Sequence, residues 1–503
     1  MKTAVLFISY IFFTCSLAFA EKSDIERFKP MMDQAEVEQK SGNHKVAIKL
    51  FKKVYSKSTD LKRDALLGLI SSLKESKKWT DAVEYLKFEK KRNPFVGEYR
   101  VWLAEVYTAA DQFNDALSEI DYAEKILGQD KTVLRIKSFV QQKLGKHAEA
   151  ADTLTTYLIT NPKDFIALAD RADSYFQQKL YNQAYKDFQR AYELRPFEER
   201  VISSYVQSAY FTHNHREIKK VGQECVRLFP KNITCFEYMG KSSLRKKYFT
   251  NASNYFNMAL SLDPSRFDLR QLLAESLAAQ GNFTESDAHF EIVLKQHPEN
   301  ELAMRSWAVF LKQRKKIELL GAALTSFNKT NPNNIWCAVE LSKLLVLVGD
   351  NPAALEQMKA IAKETKLAIA KFYYAYFLYS DGKYNDARVA LVEAKDPSLD
   401  IDFHLAILFF KENKIAKALQ HWLKVPPESS LYFKAQVNSA LIFEQQNNLE
   451  KAKEVLAAIN PPADQKKNVE QKLISLSESE KRNPASDQSG GFSYFIEWSK
   501  PVL

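Results

Sequence analysis

The chain has 503 residues, 46% hydrophobic and 27% charged, a balance that excludes a disordered polymer and leaves room for several domains or one long array. Its formal charge of +10 is a mild excess over this length; a Lys-rich solvated surface accounts for it, and contact with an acidic polymer or membrane surface stays open. With 16 Pro and 13 Gly, breakers are few, so their positions carry the information.

Residues 1–20 read as an export signal: Lys2 is the charged start, Ala4 to Phe13 the apolar stretch and Ala18-Phe19-Ala20 the small-x-small cleavage site. The apolar stretch is short for a spanning helix, which needs about 20 residues. The expected mature chain starts at Glu21, is exported and has no transmembrane span. Its cysteines are then Cys225, Cys235 and Cys337, which form no disulfide framework and no Cys/His metal spacing.

From residue 21 to 461 the chain reads as one repeat array. Pro94, Gly128, Pro162, Pro196, Pro230, Pro264, Pro298 and Pro332 stand 34 residues apart without a slip. A breaker at this spacing ends one helix and starts the next. Twelve residues before the breakers a small residue recurs: Ala82, Ala116, Ala150, Ala184 and Ala252, with Ser286 as a substitute. Four residues later comes a large apolar one, such as Leu86, Phe188, Phe256 or Phe290. Small and large residues one turn apart share a helix face, so a close crossing sits beside a bulky knob. The first unit begins near Phe28, with Ala47 and Phe51 as its pair.

The run Asn182-Gln183-Ala184 through Phe188, Ala191 and Pro196 resembles the second half of the tetratricopeptide repeat, and Asn251-Ala252 through Phe256, Ala259 and Pro264 repeats the likeness. The first half departs from the pattern: Leu66, Leu134, Leu168 or Phe236 fills the Trp slot, and only Gly240 keeps the Gly slot. The resemblance implies an all-α, right-handed superhelical solenoid of about 13 helix-turn-helix units, stable only through stacking. It also implies a concave surface lined by one stripe of each first helix, about 130° from the packing stripe.

Along that stripe the early units offer mixed polar and charged residues, among them Lys74, Glu98, Glu105, Arg135 and Asp173. The late units offer Trp336, Val339, Val346, Phe372, Tyr376, Tyr379, Phe403, Ile407 and Phe410, an apolar run that reads as a partner-binding groove. A tightened superhelix that buries this run, or a register displaced by one residue, is the competing reading. Cys225 and Cys235 fall at similar heights on adjacent helices, where an oxidising compartment could join them; three free thiols are the alternative.

The spacing contracts between Ala387 and Ala418, and Pro426-Pro427 interrupts the next connection, so a bend or register change is expected there. Residues 462–480 read as a capping helix with Val469, Leu473 and Leu476 on one stripe, 481–491 as a flexible linker, and 492–503 as an aromatic tail. A linker of about twelve residues spans about 19 Å, enough to lay the tail on the repeats around Phe403, Phe410 and Leu441. An anchor for another protein is the other possibility.

No motif of a hydrolase, nucleotide-binding or metalloenzyme site occurs, so no enzyme, cofactor or metal is expected. His213 and His215 near Cys225 lie at a turn, where polar residues are ordinary, and the basic clusters Lys77-Lys78, Arg245-Lys246-Lys247 and Arg314-Lys315-Lys316 also fall at turns. Nucleic acid is not an expected partner outside the cytoplasm. The expectation is a non-enzymatic protein-protein interaction scaffold or adaptor, holding proteins or peptides in a periplasmic envelope assembly. The alternative is a chaperone-like binder of unfolded or secreted polypeptides in a secretory lumen.

Overall fold

A computed structural model of the protein describes residues 23–479 and 493–498; the expected export signal at 1–20 and the expected linker at 481–491 lie outside the described residues. Among the described residues there are 27 α-helices, one 3-10 turn at Pro397–Leu399 and no strand. The chain forms two compact units, Met1–Pro264 and Ser265–Leu503.

In the first unit, helices mostly of 13 to 15 residues follow one another as hairpins, each packed on its neighbours in sequence. The first helix, Asp24–Lys40, starts four residues before Phe28 because Ser23 and Glu26 form a reciprocal capping box that satisfies its leading N–H groups. The turn inside each hairpin reverses the chain through one residue with positive φ: Gly42, Lys77, Asp111, Gly145, Lys179, His213 and Lys247. Around Lys247 its own N–H reaches Leu244 O and the next N–H reaches Ser243 O, which satisfies two of the carbonyls a helix end leaves open. The basic clusters at turns therefore include the residue that bends the chain.

The small slots Ala82, Ala116, Ala150, Ala184 and Ala252 are all fully buried, as are Phe256 and, in the second unit, Phe290, with Phe188 nearly so. A methyl group there lets two helices close on each other while the knob one turn later fills the space beside the crossing. The first-helix Gly240 serves the same end from the other side. A Cβ on it would stand 2.6 Å from the Phe256 ring, so the ring occupies the volume a side chain would need.

The second unit continues the hairpins and closes with helix Lys466–Ser479, whose Val469 and Leu476 are buried against Leu456 and Val437. Where the spacing contracts, the elements shorten. Helix Tyr384–Ala394 ends at left-handed Lys395, Ile401–Lys411 has 11 residues, and Ile415–Trp422 has 8, stopping ahead of Pro426. Trp422 still fills the knob slot, fully buried.

Candidate binding surface

The polar stripe of the first unit is largely paired with itself, from one repeat to the next. Lys74 Nζ lies 3.2 Å from Glu105, Arg63 3.2 Å from Glu98, and Arg135 3.4 Å from Asp170. Arg200 bridges Asp170 at 2.7 Å and also meets Asp173. Lys241 reaches Glu237 at 2.5 Å within one helix. Partly exposed pairs of this kind contribute little stability individually. They fix the register of neighbouring first helices and leave few uncommitted charges for an ionic ligand.

The second unit behaves differently. Residues Ser493–Trp498 run in a non-helical conformation across the first helices Ala368–Ser380, Ile401–Lys411 and Tyr432–Gln445. Asn438, with no exposed surface, holds the backbone of Phe495 from both sides: its Oδ1 accepts from Phe495 N at 2.7 Å, and its Nδ2 donates to Phe495 O at 2.9 Å. Tyr379 donates its hydroxyl to Ile496 O at 3.2 Å. Trp498 is buried in a ring cluster, with centroid distances of 4.8 Å to His404, 5.0 Å to Tyr379, 5.5 Å to Phe372 and 6.3 Å to Tyr376. Tyr494 lies 4.6 Å from Phe410, and Phe495 6.1 Å from Phe433. An amide that pairs with both the N–H and the C=O of one residue is indifferent to side-chain identity, so selectivity rests with the rings.

This contact sorts the apolar run of the late repeats. Phe372, Tyr376, Tyr379 and Phe410 touch the tail. Phe403, Val339 and Ile407 have no exposed surface and lie in the buried core cluster; the one ring contact of Phe403 among the described residues is with His404. His404, one position after Phe403, is the residue that reaches Trp498, so here the register of the open stripe is displaced by one. Trp336 packs elsewhere, under the Arg305 guanidinium 4.8 Å from its ring, and Val346 is 37% exposed and outside the core cluster that holds Trp498. Neither Asn438 nor His404 is among the sequence-derived candidates. A polar Asn438-Ser439 pair inside the apolar stretch of Val437 to Phe443 was the available signal, since a buried amide requires partners.

Cys225 and Cys235 are joined in a disulfide with Cα atoms 6.3 Å apart, and Cys225 is thereby removed from any metal cluster with His213 and His215. His213 Nδ1 meets Arg245 at 2.6 Å and His215 Nδ1 meets Ser242 Oγ at 2.9 Å. Cys337 is a buried free thiol whose pKa burial pushes up to about 12, with Glu301 and Glu340 adding to the shift. Among the described residues no helix is long and apolar enough to cross a membrane.

Two models of the tetratricopeptide repeat match the chain, over residues 140–199 and 270–300. No curated protein matches it. Solved structures that align include YrrB, a TPR protein with an unusual peptide-binding site, at 15% identity and TM-score 0.35 over 37% of this chain and 97% of its own. A tetratricopeptide repeat protein from Parabacteroides merdae aligns at 17% identity and TM-score 0.37, over 49% of this chain and 98% of its own. The MamA protein aligns at 14% identity and TM-score 0.32, over 33% and 92%. With its repeat segments matched and its helices paired as hairpins throughout the described array, the chain carries tetratricopeptide repeats in an all-helical repeat fold.

Proposed function

We propose that the protein is an exported, non-enzymatic scaffold whose second unit binds a non-helical, aromatic segment of a partner protein, and that its own tail occupies this site as a tethered competitor. The observation that carries the reading is the seat of Ser493–Trp498: a backbone clamp at Asn438 and a ring cluster around Trp498 are the two parts of a peptide-recognition site. A tether of short length raises the local concentration of the tail to the millimolar range, so modest contacts hold it until a better ligand arrives. Export is supported by the signal-like residues 1–20 and by the Cys225–Cys235 disulfide, a bond that persists in oxidising compartments. A periplasmic envelope assembly is the setting this combination fits best.

A labelled synthetic peptide of residues 492–499 tests the site on the full-length chain. It should bind Trp498→Ala at least tenfold more tightly than wild type, because the variant loosens the internal competitor. Adding Phe410→Ala, at the rim of the site, should weaken peptide binding again. Equal affinity for wild type and Trp498→Ala would overturn the reading.

A further inference from the structure

One repeat of the first unit breaks the packing rule, and a cavity lies beside the break. In helix His215–Leu228 the small slot holds Ile218 and the knob slot holds Gly222, the reverse of Ala184 with Phe188 and of Ala252 with Phe256. Met239, from the facing helix Ile233–Arg245, lies where a knob would stand: a Cβ on Gly222 would come within 2.7 Å of its Cγ and 2.8 Å of its Sδ. Between these two helices and Phe249–Leu262 opens a cavity of about 310 Å³. That volume is at the lower end of the range of small-molecule sites, about 300–1,000 Å³.

The lining divides by chemistry. Ile218, Met239 and Tyr255 give one apolar side, while Lys219, Lys246 and His215 bring positive or proton-accepting groups, and no carboxylate contributes. Neither lysine is in an ion pair among the described residues. Burial holds the His215 imidazole below its ordinary range, and the charges of Lys246, Arg245 and His213 push it the same way, so the surroundings are electropositive. The Cys225–Cys235 disulfide ties the helix that carries Lys219 to the helix that Lys246 caps, so the site is braced before any ligand arrives.

We infer that this cavity binds a small organic oxyanion, a carboxylate or phosphate on an apolar body, with the anionic head between Lys219 and Lys246 and the body against Ile218, Met239 and Tyr255. The site is independent of the tail-binding surface, since all its residues belong to the first unit. A bound anion favours the imidazolium form, so ligand raises the His215 titration midpoint.

The test uses the full-length protein with ¹³C-methyl methionine, the Met239 signal being assigned through Met239→Leu. Phenyl phosphate and benzoate are titrated in separate arms, with inorganic phosphate and neutral benzyl alcohol as comparisons. The expected result is a saturable Met239 shift with at least one organic anion, at least tenfold weaker with inorganic phosphate and with benzyl alcohol. Whichever organic anion binds more tightly identifies the preferred head group. Lys219→Gln/Lys246→Gln, a pair of surface changes, should weaken that binding at least tenfold with an unchanged helical spectrum. In a second variant, Gly222→Ala, the new Cβ displaces the Met239 thioether and should also weaken binding while leaving both lysines in place. No saturable shift with either organic anion, an equal response to benzyl alcohol or inorganic phosphate, or undiminished binding in the double variant would overturn the inference.

Discussion

Lys179 stands at φ +62°, in the left-handed region, at the turn between helices Phe165–Gln177 and Tyr181–Leu194. That backbone crowds an L residue's Cβ against the following carbonyl, at a cost of roughly 1–2 kcal/mol. Gly42, Gly145 and Gly281 take the same conformation at equivalent turns without the clash. Replacing Lys179 by Gly should therefore stabilise the protein by about 0.5–1 kcal/mol, once the greater chain entropy of an unfolded Gly is subtracted. Lys179→Ala keeps the Cβ and should stay within about 0.5 kcal/mol of wild type. Urea unfolding of both variants measures the difference. Destabilisation by the Gly substitution would contradict a left-handed residue at this turn.

At the scale of elements, Glu89 links three consecutive helices and makes their packing sensitive to acid. Its carboxylate, 3% exposed, lies 3.0 Å from Lys62 Nζ and accepts from the Tyr55 hydroxyl at 2.6 Å, so helices His44–Lys57, Lys62–Glu75 and Trp79–Arg92 meet on one group. Burial pushes its pKa up, but the hydrogen bonds from Tyr55 and Lys62 and the charges of Lys62 and Arg92 hold the carboxyl below its usual value. A carboxyl depressed on folding binds fewer protons in the native state than in the unfolded one. Its contribution is present above the ordinary Glu value of about 4.3 and is lost as pH falls through the lower native value. Glu89→Gln removes this titration, so stability should fall less steeply between about pH 5 and pH 3 than in wild type. Denaturation midpoints collected across that range decide the matter, an unaltered slope being the contrary outcome.

For the whole molecule, the cysteines report on compartment and on folding at once. With Cys225 and Cys235 bonded and Cys337 buried, the protein produced without residues 1–20 should expose no thiol to a disulfide reagent while folded at mildly alkaline pH. The Cys337 thiol, pushed to about 12, supplies almost no thiolate under those conditions. Unfolding without reductant should release one reactive thiol, and unfolding after reduction three. Three thiols in the non-reduced, denatured protein would contradict the disulfide. Rapid modification of the native chain would contradict the burial of Cys337.

The 34-residue spacing of breakers, with small slots at Ala184 or Ala252 and knobs at Phe188 or Phe256, was enough to derive an all-helical repeat fold from the sequence. Helix hairpins are short-range objects: their turns and caps are set within a few residues, and their packing faces recur at fixed offsets within one repeat or the next, so spacing alone encodes them. Val339, Phe403 and Ile407 share that periodicity with Phe372, Tyr379 and Phe410, yet only the latter three make ring contacts with the described part of the tail, while the former are wholly buried in the core cluster. Spacing cannot separate them, because a helix with apolar residues on both its packed and open sides carries no mark of which is which. Asn438 meets Phe495 across 57 residues and Tyr379 meets Ile496 across 117. The inversion of Ile218 and Gly222 is visible in the sequence, but only the position of Met239 against Gly222 reveals which volume was filled and which was left as a cavity. These features depend on where side chains from distant segments arrive, and the tertiary structure alone decides that.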